Sequence, residues 1–277
     1  MTKDAFNDMT PLAFIFVRFL LMTTLAFGVL VVSARGDRNL LTIRRADIPQ
    51  FVLVGLTGYT FYQLGFVFGV EKTSAFSSAL LISMQPLFTM LILAKRGEPT
   101  PQYGWIGLGI AVIGVAIFML DKRGGESSTL GNLLSLGAGL SFATYGILNR
   151  PLAKRYPPAT YSAYAVLIGS IPLLLISIPD AAQQNWVDLP TKSWVAVVYM
   201  VIFPVYVAYQ FWNWGIAKRG AAEASSFALL VPIIAGVLSA IVFSESFGAA
   251  KMIGGALAMA GLVAIRIDRK PNPREER

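Results

Sequence analysis

The chain contains no cysteine and no histidine. The first absence excludes disulfides and thiolate metal sites. The second removes the commonest metal ligand and the usual proton shuttle near neutral pH. Charge is also scarce: 14% of the 277 residues are Asp, Glu, Lys or Arg, against about 25% in an ordinary soluble domain. All fifteen acidic residues fall in loops, in tails or at the edges of apolar segments. The glutamates Glu71, Glu98, Glu223 and Glu245 border such segments. General acid–base or metal chemistry inside a membrane therefore has no obvious residues, and neither a cofactor nor a metal is expected. The same absence leaves no proton relay in the visible chain, which favours uniport or gradient-driven release of a solute. Met1–Thr10 carries Lys3, Asp4 and Asp8 and does not read as a cleavable signal peptide.

Apolar residues are abundant, at 55% of the chain. A membrane-crossing helix needs about 20 consecutive, mostly apolar residues. Nine segments qualify: Pro11–Val32, Phe51–Gly69, Ala75–Leu93, Tyr103–Leu120, Leu130–Leu148, Thr160–Ile178, Ser193–Trp214, Ala222–Phe243 and Ala249–Ile267. The expected fold is an all-α polytopic membrane protein with the lipid bilayer as its surroundings. The net charge of +8 does not point to nucleic acid, because the basic residues sit in short loops where topology explains them. Loops after the first, third, fifth and seventh segments, with the tail, hold 16 basic residues, and the other side holds 6. This bias predicts a cytoplasmic C-terminus and an outside start for the visible chain.

Tyr59-Thr-Phe-Tyr62-Gln63 recurs 147 residues later as Tyr206-Val-Ala-Tyr209-Gln210. The repeat is wider than this motif. Gly69 to Pro86 matches Gly215 to Pro232 at an offset of 146, and Pro11, Glu98, Gly107 and Gly114 match Pro158, Glu245, Gly254 and Gly261 at 147. Segments one to four thus match six to nine. An odd separation makes equivalent helices cross in opposite directions, which is an inverted-topology repeat of the kind secondary transporters use. Residues 1–121 form the first repeat and 122–277 the second, within one membrane domain. Leu130–Leu148 has no counterpart before Pro11, so the first repeat is expected to lack its first helix.

In an α-helix, positions i, i+3 and i+4 share a face, so each motif presents two phenols and a carboxamide together. Hydrocarbon solvates such groups poorly. They are expected to line a substrate path; the competing reading is that they pair across a packed interface. Aromatic faces suit apolar or cationic groups, while Gln63, Gln85 and Gln210 both donate and accept, as a zwitterion requires. Ser78 lies near Gln85, and Tyr145 lies in the unpaired fifth segment. Trp212 is a further candidate, whereas Trp214 is assigned to the aromatic belt at the membrane surface. Pro86 and Pro232, at matching repeat positions, are candidate hinges because proline removes a backbone donor. Arg18 is a charge well inside a span, which marks a functional candidate. It could pair with a substrate carboxylate, or snorkel or bond backbone carbonyls as a structural tie; its repeat counterpart, Ala165, argues against a central site and favours the tie. Gly107, Ala111 and Gly114 form one small-residue stripe, and Gly254, Ala258 and Gly261 another, suited to close helix packing within a protomer or a dimer.

Arg18-Phe19, the Ser-rich approaches to Pro86 and Pro232, Glu245, Gly254 and Gly261 together resemble the drug/metabolite transporter superfamily, specifically its EamA-type branch. The resemblance covers nearly the whole chain. It implies a ten-helix transporter fold made of two inverted five-helix repeats, nine of whose spans are visible here, with both termini in the cytoplasm. It also implies that the fifth segment and those holding the Tyr-x-x-Tyr-Gln and proline motifs surround a central cavity. The expected function is export of small metabolites, above all neutral amino acids, with aromatic ones as candidates, across a bacterial inner membrane by alternating access, as a monomer or homodimer. Efflux of hydrophobic drugs and a nontransporting scaffold are the alternatives.

Overall fold

The computed structural model describes residues 8–98, 100, 102–120, 128–219, 224, 230–242 and 247–265. Every regular element among the described residues is helical. Helix α1 is Pro11–Ser33. Helix α2 (Ile48–Gly55) runs through a π-helical segment, Leu56–Phe61, into α3 (Tyr62–Lys72). There follow α4 (Ala75–Ile82), α5 (Gln85–Lys95), α6 (Gln102–Leu120), α7 (Thr129–Arg155) and α8 (Pro158–Gln183). Helix α9 (Thr191–Met200) runs through a second π-helical segment, Val201–Val207, into α10 (Ala208–Arg219). Helices α11 (Leu230–Val242) and α12 (Ala249–Ala264) complete the described chain.

Six helical stretches are long and apolar enough to cross a bilayer: Pro11–Ser33, Arg38–Lys72, Ala75–Lys95, Gln102–Leu120, Pro158–Gln183 and Thr191–Arg219. Leu230–Ile241 and Ala249–Ala264 are apolar but shorter. Helix α7 has the length, at 27 residues, but carries Asn132, Ser135, Ser141, Thr144 and Asn149. Many exposed positions on these stretches are large and apolar, among them Leu20, Leu53, Val112, Ile113, Leu175 and Ile176. Water would penalise that surface and lipid does not. Most expected segments lie within a few residues of the observed helices, and α7 runs on to Arg155. The segment Ala222–Phe243 is described only over Leu230–Val242 and residue 224, and the end of Ala249–Ile267 lies outside the described residues.

Local chemistry sets the helix ends. Thr10 caps α1 by accepting from the Ala13 backbone N–H at 3.1 Å, and Pro11 occupies the first turn, where no N–H is needed. Ser74 caps α4 in the same way through Ser77, at 3.1 Å. The apolar segment holding Pro86 does not merely kink: α4 stops at Ile82, and α5 restarts at Gln85 with Pro86 in its first turn. The Ser83 hydroxyl donates back to Ala79 O at 2.7 Å across that break.

The chain forms two compact units, one from Met1–Val67 with Leu148–Lys218, the other from Phe68–Ile147 with Arg219–Arg277. In the first unit α1 packs on α8, the helix matched to it by the 147-residue offset. Thr23 Oγ1 donates to Ser170 Oγ at 3.0 Å, and these two residues are themselves 147 apart. Thr10 also donates to Asp180, so early positions of α1 meet late positions of α8 and the pair is antiparallel. Gly55 and Gly169 bring α2 and α8 into backbone contact: a Cβ added at Gly169 would lie 2.5 Å from Gly55 O and 2.6 Å from Tyr59 Cβ.

In the second unit the two small-residue stripes pack on each other. A Cβ on Gly114 would lie 2.3 Å from Ala258 N, and one on Gly107 would lie 2.6 Å from Gly261 O. Gly254 meets Gly114 O and Phe118 N, so α6 and α12 also run antiparallel. The expected close packing is thus made within one chain. Lys251 is buried in this unit, its ammonium 3.4 Å from Ser74 Oγ and 5.9 Å from the Phe118 ring centre.

Candidate functional site

Both copies of Tyr-x-x-Tyr-Gln lie at the π-helical segments. Tyr59 falls inside the first, and Tyr62 and Gln63 follow it directly. Tyr206 falls inside the second, and Tyr209 and Gln210 open α10. A π turn widens the helix and changes the angular spacing of side chains, and such turns concentrate at functional sites. The simple α-helical face expected for the motif is altered accordingly. Tyr59, Gln63 and Tyr209 are buried, while Tyr62, Tyr206 and Gln210 are half-buried. Pro204, inside the second segment, has no N–H to give to a regular ladder.

In the first unit the two motifs meet. The rings of Tyr59 and Tyr209 stack with centres 4.9 Å apart and planes 27° from parallel. The Tyr209 hydroxyl donates to Gly58 O, a carbonyl of the first π segment, at 2.8 Å. Thr60 Oγ1 donates to Gly169 O at 2.8 Å and ties the same segment to α8. Gln63 Oε1 accepts from the Arg18 guanidinium, and both side chains are buried. The Phe14 and Phe19 rings lie 5.0 and 5.3 Å from the Arg18 guanidinium carbon. Tyr62 stacks on Phe66 with centres 6.1 Å apart.

Gln210 donates through Nε2 to Ser162 Oγ at 2.6 Å, and its Oε1 is buried with no partner among the described residues. Gln210 also borders a cavity of about 450 Å³ that is walled by Tyr161, Asn213, Trp214, Lys154 and Lys218. Trp212 is half-buried, and Trp214 is 61% exposed, as a belt residue should be.

Ser78, Gln85 and Tyr145 belong to the second unit and are all buried there. Ser78 Oγ accepts from Ser135 Oγ at 3.0 Å. Gln85 sits beside the α4–α5 break with Oε1 buried and unpaired among the described residues. Tyr145 leans on Phe142, one turn earlier, at 5.3 Å between ring centres. Pro232 is buried near the start of α11 and forms part of the wall of an apolar cavity of about 410 Å³ with Phe76, Leu80, Gly236 and Met259.

Three participants escaped sequence reasoning. Ser162, Gly58 and Gly169 carry no motif of their own, although Gly169 stands in a small-residue patch beside Ser170. Arg18, a candidate from its charge within a span, has as its hydrogen-bond partner Gln63, a residue of the motif itself.

A bundle of lipid-compatible helices with a buried aromatic and amide cluster defines a multi-pass membrane protein. The chain belongs to the EamA-like transporter family, which matches residues 1–120 and 129–267, and its relatives are transporters rather than enzymes. It is 26% identical over 240 residues to a protein of Streptantibioticus cattleyicolor named "Probable terminal-alkyne amino-acid exporter", covering 86% of this chain and 80% of that one. It is 26% identical over 275 residues to a "Probable amino-acid metabolite efflux pump" of Salmonella typhimurium, covering 94% and 87%. An uncharacterized transporter of Bacillus subtilis is 27% identical over 233 residues, covering 80% and 76%. One crystal structure superposes with a TM-score of 0.67 at 18% identity, over 95% of this chain and 91% of the other, which speaks to fold alone.

Proposed function

We propose that this chain exports neutral amino acids, aromatic ones among them, across a bacterial inner membrane by alternating access. The observation that carries the reading is the junction of the two Tyr-x-x-Tyr-Gln motifs at two π turns, with Tyr59 stacked on Tyr209 and Gln63 alongside. Stacked phenols offer an apolar face, and carboxamides offer a donor and an acceptor, so together they suit a zwitterion with an aromatic body. The printed names of the Streptantibioticus and Salmonella relatives agree with this substrate class. In this reading Tyr59, Tyr62, Gln63, Tyr206, Tyr209 and Gln210 contact substrate, with Trp212 as a further lining residue of the same unit. Pro86 and Pro232 serve as hinges of two inverted repeats, and the C-terminus is cytoplasmic. The antiparallel pairing of offset-matched helices, α1 with α8 and α6 with α12, supports the repeat.

The test is uptake of a labelled neutral amino-acid panel into liposomes holding the purified protein, with and without a pH gradient. The expected result is saturable flux that needs no gradient. Flux only with a gradient would overturn the uniport assignment, and no flux for any member would remove the substrate class. A second reading, efflux of hydrophobic compounds, draws on the apolar cavity walled by Phe76, Leu80 and Pro232. Broad resistance in overexpressing cells would favour it.

A further inference from the structure

Arg18 stands seven residues into α1, about 10 Å along its axis. A charge at such depth is costly in a bilayer unless it reaches the interface or finds partners. The guanidinium does not reach an interface, since the residue is only 1% exposed. A structural tie would offer it a carboxylate or several carbonyls. Its observed acceptor is instead one neutral amide oxygen, that of Gln63. The Phe14 and Phe19 rings stabilise a cation but accept little hydrogen bonding. Nε is buried with no partner among the described residues, and no acidic side chain among them pairs with Arg18. Guanidinium is a five-donor fork that stays protonated, so a lone one in a dry site lacks a counter-charge.

We infer that Arg18 reads the carboxylate of the transported solute. The inference rests on the exporter reading and names the group that reading left open. Planar, bidentate pairing is what a guanidinium fork provides for a carboxylate. A doubly charged phosphate would call for a second cation, and no other cationic side chain among the described residues is found against this cluster. Gln63 holds the guanidinium in the empty state and yields to the anion. The Tyr59–Tyr209 stack, reached through Gln63 and Tyr62, then takes the apolar body. The absence of a counterpart at Ala165 becomes an asset: one cation in a pair of repeats gives the substrate a single orientation.

The experiment compares ligand-induced thermal stabilisation of the full chain in detergent with labelled phenylalanine flux in liposomes. The ligands are L-phenylalanine, 3-phenylpropionate, L-phenylalaninamide and phenethylamine. Wild type is expected to prefer the two carboxylates by about tenfold or more in apparent affinity, the size of a charge-assisted hydrogen bond. Arg18→Gln should abolish the preference, and Arg18→Lys should retain part of it. Carboxylates and amines binding wild type equally well, or no carboxylate binding at all, would overturn the inference without any variant being made. A preference that survives in Arg18→Gln would overturn it too. Carboxylate-selective binding without flux would leave Arg18 as the reader and sink the export reading. Flux with no carboxylate preference would do the reverse.

Discussion

Replacing Gly169 by alanine should disturb the candidate site without touching any of its polar groups. The new methyl would lie 2.5 Å from Gly55 O and 2.6 Å from Tyr59 Cβ, and both are far inside van der Waals contact. Neither neighbour is the free end of a flexible chain: one is backbone, and the other is the root of a buried aromatic stacked on Tyr209. Helix α8 and the first π segment must therefore separate. Overpacking of this kind costs about 1–3 kcal/mol, while the change from glycine to alanine within a helix returns about 0.5–1 kcal/mol. The net loss is up to about 2.5 kcal/mol. At about 2–4 °C per kcal/mol, that lowers Tm by up to about 10 °C. Gly28→Ala in α1 is the matched control, because nothing lies within 4 Å of its added Cβ. It should gain about 0.5–1 kcal/mol from helix propensity alone. Thermal unfolding of the two variants in detergent, followed by amino-acid flux in liposomes, measures the contrast. A Gly169→Ala protein as stable as Gly28→Ala, with unchanged flux, would refute the close approach at the first π segment.

Other positions give sharper or simpler readouts. Gly114→Val should destabilise more than Gly169→Ala, since even a Cβ would lie 2.3 Å from Ala258 N, while Gly109→Ala on the same helix meets nothing within 4 Å; paired melting curves compare them. Tyr209→Phe keeps the ring stack but removes the hydroxyl that donates to Gly58 O, so it should cost about 1–2 kcal/mol and lower flux less than Tyr209→Ala does. Gln210→Leu removes the donor to Ser162 Oγ and should raise the concentration needed for half-maximal flux with little change in Tm. Asn149→Leu deprives Asn213 Oδ1 of its 2.8 Å donor in a buried setting and should cost about 1–3 kcal/mol, read as a lower Tm.

Much of this was legible in the residues. Runs of apolar residues located the helices because lipid tolerates little else across its core. The recurrence of Tyr-x-x-Tyr-Gln pointed to the place where Tyr59 and Tyr209 stack, and the Gly107–Gly114 and Gly254–Gly261 stripes pointed to α6 and α12. The π turns were not legible. A helix that is apolar all round shows no phase, so an inserted residue at Leu56–Phe61 or Val201–Val207 leaves no mark on the pattern. Pro86 signalled a disturbance but not its form, since proline suits either a kink or the first turn of a new helix. The partner of Arg18 was not legible for a clearer reason. Internal symmetry located the counterpart of Arg18 at Ala165, whereas its hydrogen bond crosses 45 residues to Gln63. Offset matching relates equivalent positions and says nothing about unlike ones that meet.

The central claim is that an amino-acid path runs past the Tyr59–Tyr209 stack. Counterflow of labelled phenylalanine in liposomes, wild type beside Tyr59→Ala, tests it most directly, with monodisperse elution confirming that both proteins are folded. Saturable exchange in wild type that falls about tenfold in the folded variant is the predicted result, in line with an aromatic contact of about 1–1.5 kcal/mol. Equal exchange by the two proteins would contradict it.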